Sequence, residues 1–411
     1  MTGMRRALLL VALVGCGSED VLVARALPTS IAGPASAVVA ANNAFACDLY
    51  GAVRAGAAPN VILSPFSIAT ALSMVAAGTT GATEAQLRTA LHATLDRDAT
   101  GAAYRALLAS LTTGTGYGGY TLQIADRLFG QRGAAFVPEF LAITRDDYGA
   151  ELMPVDFGAP AATDAIDSWV ADATSGHIPM LFAPGALGSS TRLVLANAIH
   201  FAGGWQTAFD TAAPGRFVRA DGTAVTAPMM TKHAMPIALR SIDGVGAIVA
   251  LPFEGKDLAF VVVVPATPDG LAAVEAQLTA ENLATWLAMP GFAPEAGVNI
   301  TLPRFGITTA IDLAGTLGAL GIVDAFDAAR ADFSPTDGAR DLALEHVQHA
   351  AVITVDEHGA EADAATGVNT TVVIGPPTLS IDHPFLFLIR DAVTGAVLFI
   401  GRVGDPSLSA G

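Results

Sequence analysis

Residues 350–382 read AAVITVDEHGAEADAATGVNTTVVIGPPTLSID, and the reading of that stretch decides the fold. It enters as a strand, runs through a series of small residues, and stops at Gly375-Pro376-Pro377. As an exposed loop it is too long, and it carries β-formers where turn residues are expected. A loop able to become a strand accounts for both features. With a period of two, one face carries Ala360, Ala362, Ala364, Thr366, Val368, Thr370 and Val372, all small or β-branched. That face fits beneath packed helices. The other face carries Glu361, Asp363, Ala365, Gly367, Asn369 and Thr371, so both charges lie on the side that can stay in water. Gly359 stands where the chain must pivot, a position where unusual dihedrals carry no side-chain penalty.

Outward from this segment, no long Pro/Gly/Ser linker, charge block or solenoid-like repeat interrupts the chain between Ser36 and Pro406. A length of 411 residues by itself suggests about two or three domains, but the missing linkers favour one large domain over 36–407. Ser64-Pro65 predicts a capped helix over Phe66–Ala77, and Thr83 with Gln86 has capping-box spacing before a second helix. Helical patterns recur at 99–111, 137–147, 161–174, 270–287 and 310–320. Strand-like runs cover 121–129, 192–201, 247–252, 258–265, 298–302, 343–356, 384–390 and 396–401. Helices gather early and strands late, which predicts an α+β fold rather than a regular βαβ winding.

Hydrophobic residues make up 52% of the chain and charged ones 14%, a balance that fits a well-buried globular protein. The net charge of −17 would repel a phosphate backbone, so a nucleic-acid partner is not expected. Residues 1–16 read as an export signal: Arg5 and Arg6, the apolar run Ala7–Val14, then Gly15 and Cys16. Leu13-Val14-Gly15-Cys16 resembles the bacterial lipobox, in which the cysteine is lipidated. Under an ordinary signal peptide, or with a mis-assigned start, Cys16 would be incidental. As a targeting segment, residues 1–16 predict a mature protein that is exported, extracellular or membrane-anchored, with residues 17–35 as a tether. Cys47, the one other cysteine, lies in a helical pattern and reads as a small buried hydrophobe, so no disulfide is expected.

Gly114, Gly116 and Gly119 have dinucleotide-fingerprint spacing but follow a helix and precede a strand, the reverse of the required order. His346 and His349 beside Glu345 suggest a metal, yet on a strand residues three apart face opposite ways. His358 among Asp356, Glu357 and Glu361 reads as a solvated charged hinge. Neither a nucleophile elbow nor a zinc-protease helix occurs, so no catalytic residues, metal or cofactor are expected. A Ser/His/Asp triad assembled across the fold stays open at this point.

Asp356-Glu357-His358-Gly359-Ala360-Glu361-Ala362 resembles the hinge of the serpin family, which usually reads Glu-x-Gly-Thr-Glu-Ala-Ala-Ala-Ala-Thr. Ala360, Asp363 and Gly367 depart from that pattern. Ala360 keeps the inward face small, Asp363 lies outward, and Gly367 would weaken an inserted strand slightly. Further ordered blocks are similar to the family's: Asn60–Leu72, Asn197–Trp205, Leu302–Phe305, Leu317–Ile322, Ala331–Ser334 and His383–Val403. They span roughly 36–406. The chain most resembles a bacterial, lipoprotein-type member. The resemblance implies helices packed on a central, mainly antiparallel sheet, with an exposed reactive-centre loop over about 357–382.

It also implies residue roles. Glu357, Gly359, Ala360, Glu361, Ala362, Ala364, Ala365 and Thr366 match the loop hinge. Ser64, Ser67, Asn197 and His349 match the shutter, a polar cluster under the point where the main sheet opens, and Trp205 matches the breach where the loop enters. The implied activity is suicide inhibition. A serine protease cuts the loop, is held as an acyl-enzyme in a covalent complex, and is carried along as the loop inserts into the sheet. Family spacing puts the reactive bond at Val373-Ile374. From Ala360 to Asp382 there is no Lys, Arg, Phe, Tyr or Trp, which makes trypsin-like and chymotrypsin-like enzymes poor candidates, and Val373 suits the small pocket of elastase-like or some subtilisin-like targets. A monomer is expected. The alternative is a non-inhibitory relative whose loop is a plain substrate.

Overall fold

The computed structural model describes residues 33–113, 120–183, 185–255, 257–288, 297–359 and 376–408. Proline opens the first two helices, α1 (Pro34–Arg54) and α2 (Pro65–Ala77), which are separated by the short strand β1 (Val61–Leu63). It fits there because the first-turn N–H it lacks would have no partner inside the helix. Ser64 caps α2 by accepting a hydrogen bond from the Ser67 N–H at 3.3 Å. All 13 residues of α2 are buried, as a helix with little polar surface must be.

The third helix, α3 (Gly81–Ala90), departs from the capping-box expectation, because Thr80 is its N-cap. Thr83 Oγ1 instead accepts from the Asp332 N–H at 3.0 Å. Gln86 Oε1 accepts from the Val323 and Asp324 N–H groups at 2.9 and 2.8 Å. Both side chains satisfy backbone donors of a distant loop, which a local spacing rule cannot see.

Next come α4 (Arg97–Thr113), β2 (Tyr120–Gln131), α5 (Pro138–Tyr148), β3 (Met153–Val155), α6 (Ala162–Ala173) and β4 (Leu193–Gly203). Strands then dominate: β5 (Asp210–Val218), β6 (Ala224–Met235), β7 (Ala238–Ile242), β8 (Gly246–Pro252) and β9 (Leu258–Pro265). The expected helix over 270–287 is two helices, α7 (Leu271–Ala276) and α8 (Ala280–Leu287), because Thr279 starts a new cap by accepting from the Asn282 N–H. After β10 (Val298–Pro303), the expected helix over 310–320 is shortened. Its first residues belong to β11 (Phe305–Asp312), and α9 spans only Ala314–Ala319. The chain ends with α10 (Ser334–Asp337), β12 (Leu344–Val355), β13 (Thr378–Ser380), β14 (Phe385–Asp391) and β15 (Val397–Val403).

Three sheets result. The six-stranded sheet has the order β1-β15-β14-β9-β8-β7 and is antiparallel throughout. Every residue of β9 and β14 is buried, so this sheet forms the interior wall. A four-stranded sheet, β13-β10-β6-β5, receives the chain after the loop. The main sheet is five-stranded, with the order β11-β12-β4-β2-β3. Its pairs alternate: β11–β12 and β4–β2 are antiparallel, whereas β12–β4 and β2–β3 are parallel. One face of the main sheet packs on the large core with α2, and the other is covered by α6 and the chain that follows it. Cys47 of α1 is buried and unpaired, and burial pushes its thiol up to about 12, so it stays protonated.

Candidate functional site

The parallel pair β12–β4 is the seam of the main sheet. Its ladder runs from Leu344↔Leu193 to Val352↔His200 with no strand between. Above that point both strands continue apart: Phe201–Gly203 pair with β2, and Ile353–Val355 pair with β11. A chain leaving the top of β12 and folding back would run antiparallel to both neighbours. It would replace one parallel ladder with two antiparallel ones, which are somewhat stronger per residue.

At the top of the seam, residues 356–359 form a tight turn. The Asp356 N–H donates to the Gly359 carbonyl at 3.0 Å, while Asp356 Oδ1 accepts from the His358 and Gly359 N–H groups at 2.9 and 3.1 Å. Gly359 bridges to Gly204 with φ +127, and an added Cβ would meet the backbone of Gly203, Gly204 and Trp205. Only glycine fits this close approach. Trp205 holds the turn from below: its Nε1–H donates to the Asp356 carbonyl and its backbone N–H to the His358 carbonyl, each at 2.8 Å. Its ring stacks on Phe253 at 4.9 Å and meets Phe209 and Phe260 edge-on. Glu357 adds a second clasp. Its carbonyl accepts from the Phe209 N–H at 2.8 Å, its Oε1 accepts from the Ala212 N–H at 3.0 Å, and Oε2 lies 3.8 Å from Arg304.

Lower on the seam, Ser64, Ser67, Asn197 and His349 come together, all of them buried. Asn197 and His349 face each other in register across β4 and β12. His349 Nε2 accepts from the Ser64 N–H at 3.2 Å, so the proton sits on Nδ1, which donates to Asn197 Oδ1. Ser67 Oγ lies 2.8 Å from the same oxygen, and Ser64 Oγ donates to the Leu398 carbonyl at 2.7 Å. Burial pushes His349 down to about 3, which keeps the imidazole neutral and this tautomer fixed. His346 lies on the opposite face, bonded to Asp312 at 2.6 Å and edge-on to Phe182.

Two members of the site escaped the sequence reading. Asp126 of β2 is paired in register with Asn197 and accepts from its Nδ2–H. Burial pushes its carboxyl up to about 8. A signal existed: in Leu122, Ile124, Asp126 and Leu128 a carboxyl interrupts the core-facing alternation. Arg304 gave no such signal, since its link to Glu357 depends on tertiary structure. Ala360, Glu361, Ala362, Ala364, Ala365, Thr366, Val373 and Ile374 lie outside the described residues, as do Cys16 and Gly114, Gly116 and Gly119. Gly359 bridges to Gly204 on one side of residues 360–375. On the other, the Pro377 carbonyl accepts from the Asn299 N–H at 2.8 Å at the start of β13.

Comparison with known proteins agrees with this architecture. The family model described as serpin (serine protease inhibitor) matches residues 40–406. The leukocyte elastase inhibitor of Sus scrofa is 39% identical over 383 residues, covering 89% of this chain and 99% of that protein. Among solved structures, Serpin48 of the insect Tenebrio molitor superposes with a TM-score of 0.80 at 29% identity, covering 90% of this chain and 98% of that one. Uncleaved ovalbumin gives a TM-score of 0.81 at 27% identity, covering 90% of this chain and all of that one (100%). With most of its length matched, the chain belongs to the serpin family of serine protease inhibitors.

Proposed function

We propose that the protein is a suicide-substrate inhibitor of elastase-like or subtilisin-like serine proteases. The observation that carries this reading is the strand-free parallel seam between β12 and β4, whose upper exit leads directly into the bait segment. Cleavage at Val373-Ile374 would free the segment from β13 while leaving it joined to β12. Insertion then adds a ladder on each side, each bond contributing about 0.5–1.5 kcal/mol net, and buries the Ala, Val and Thr face. The acylated protease is dragged from the loop, and displacement of its oxyanion hole and triad stalls deacylation. The small inward face of the hinge favours insertion over a plain-substrate loop. The name of the Sus scrofa relative supports an elastase-like target.

Titration with an elastase-like protease, denaturing electrophoresis and sequencing of the released peptide test the reading. A complex resistant to denaturation and a peptide starting at Ile374 are expected. Clean cleavage with full protease activity would point to the non-inhibitory alternative. Val373→Arg should shift inhibition towards trypsin-like enzymes, and an unchanged preference for elastase would place the bond elsewhere.

Export with lipidation at Cys16 is a separate part of the proposal, supported by Arg5, Arg6, the apolar run and Leu13-Val14-Gly15-Cys16. The relatives described above are animal proteins and lend the bacterial lipoprotein reading no support. No helix among the described residues is long and apolar enough to cross a membrane. Detergent-phase partitioning that disappears in Cys16→Ala would support the anchor, and partitioning that does not change would exclude it.

A further inference from the structure

The seam is covered on its outer face. Ile178, Leu181 and Phe182, which follow α6, pack over Ala198 of β4 and Ala350 of β12. This cover is tied to α6: the Ile178 N–H donates to Thr174 Oγ1 at 3.1 Å, and the Leu181 and Phe182 N–H groups donate to Asp167 Oδ1 at 2.8 and 3.1 Å. A strand entering the seam must pass beneath it. The cover has a polar clasp at its upper end, where His177 stacks on His200 with ring centroids 3.9 Å apart and planes within 11°. His200 is the last β4 residue in register with β12, so the clasp sits where entry into the seam begins. His200 Nδ1 donates to Gln123 Oε1 at 3.3 Å, and Gln123 Nε2 donates to Ser175 Oγ at 3.0 Å.

Among the described residues, the groups around His200 supply no counter-charge. β2 contributes Gln123, β12 contributes Val352, and the cover contributes Ser175 and His177. Arg127, two alternations along the same face of β2, is held over the Trp169 ring at 4.8 Å. His200 is 8% exposed, and burial together with His177 pushes it down to about 4. Protonating the closed clasp therefore places a poorly solvated cation against a second imidazole.

We propose that the His177–His200 stack is an acid-released clasp: protonation parts the rings, loosens the cover over the β12–β4 seam and speeds loop insertion. The proposal rests on the insertion reading above. The sign follows from linkage. An opened clasp returns His200 to its ordinary 6.5, so the open form gains protons as the pH falls from 6.5 towards about 4, and the closed form is disfavoured across that window. Between about pH 7.5 and 5.5 the open population should rise roughly tenfold.

Hydrogen–deuterium exchange on the intact, uncleaved protein at those two pH values, corrected for intrinsic exchange rates, reads this directly. Segment 174–183 should lose roughly tenfold in protection at the lower pH. His200→Gln should abolish that loss. His200→Phe, which retains a ring for stacking without a titrating nitrogen, should abolish it too. Unchanged protection in the parent, or the same loss in both variants, would overturn the clasp. His349 is on the other face and present throughout, so it cancels in the comparison. Thermal unfolding after loop cleavage separates the two ideas. If protection falls with acid but cleavage never raises stability, acid opening of the cover stands and its effect on insertion fails together with the insertion reading. If cleavage raises stability and protection does not respond to acid, insertion stands and the clasp fails.

Discussion

Asn197 joins three elements through one amide: Oδ1 faces His349 of β12 and Ser67 of α2, while Nδ2 faces Asp126 of β2. Separating β12 from β4 must break the first of these contacts, so this amide helps to hold the seam shut. Asp126 adds a pH term of definite sign. Its carboxyl is raised from 3.8 to about 8, so the folded state keeps a proton that the unfolded chain has released, and stability falls as the pH rises through that window. Asp126→Asn, neutral and of similar shape, should therefore raise Tm, with a gain that grows from about pH 5 to about pH 8 and then levels off. Equal Tm differences at both pH values would show that Asp126 does not titrate in that range. At this scale the sequence showed Ser64, Ser67, Asn197 and His349 through ordered motifs, and each falls in one cluster. Asp126 was legible only as a polar break in β2, and Arg304 only once tertiary structure set it beside Glu357.

Elements were read best where burial is complete and the ends are marked. The fully buried α2, behind Ser64-Pro65, and the continuous apolar runs of β9 and β14 were visible in sequence for that reason. β5 and β6 were missed because Pro214 and Pro228 interrupt runs that expose much of their surface, so neither alternation nor apolar content marks them. The end of β11 failed differently. Ala310, Leu313, Ala314 and Leu317 have helical spacing, but pairing of Phe305–Asp312 with β12 overrides it. The seam itself predicts an element-scale experiment. A synthetic peptide with the sequence of residues 360–372 should insert between β12 and β4, raise the stability of the uncleaved protein and block inhibition. A scrambled peptide of the same composition should do neither; equal effects of the two would argue against a specific strand site.

For the whole molecule, the proposed function is that of a chain held short of its most strongly paired form. Residues 356–359, clasped by Trp205 and Gly204 and by the bonds of Glu357 to Phe209 and Ala212, hold the exit of β12 in a turn. The core and the six-stranded wall supply a frame that need not change, whereas the seam can take a further strand. The central claim is that cutting the loop releases this restraint. Thermal unfolding of intact and loop-cleaved protein, compared at the same pH, tests it most directly. Roughly ten inserted residues bonded on both sides should raise Tm by more than about 10 °C, while a cleaved protein that melts where the intact one does, or lower, would contradict insertion.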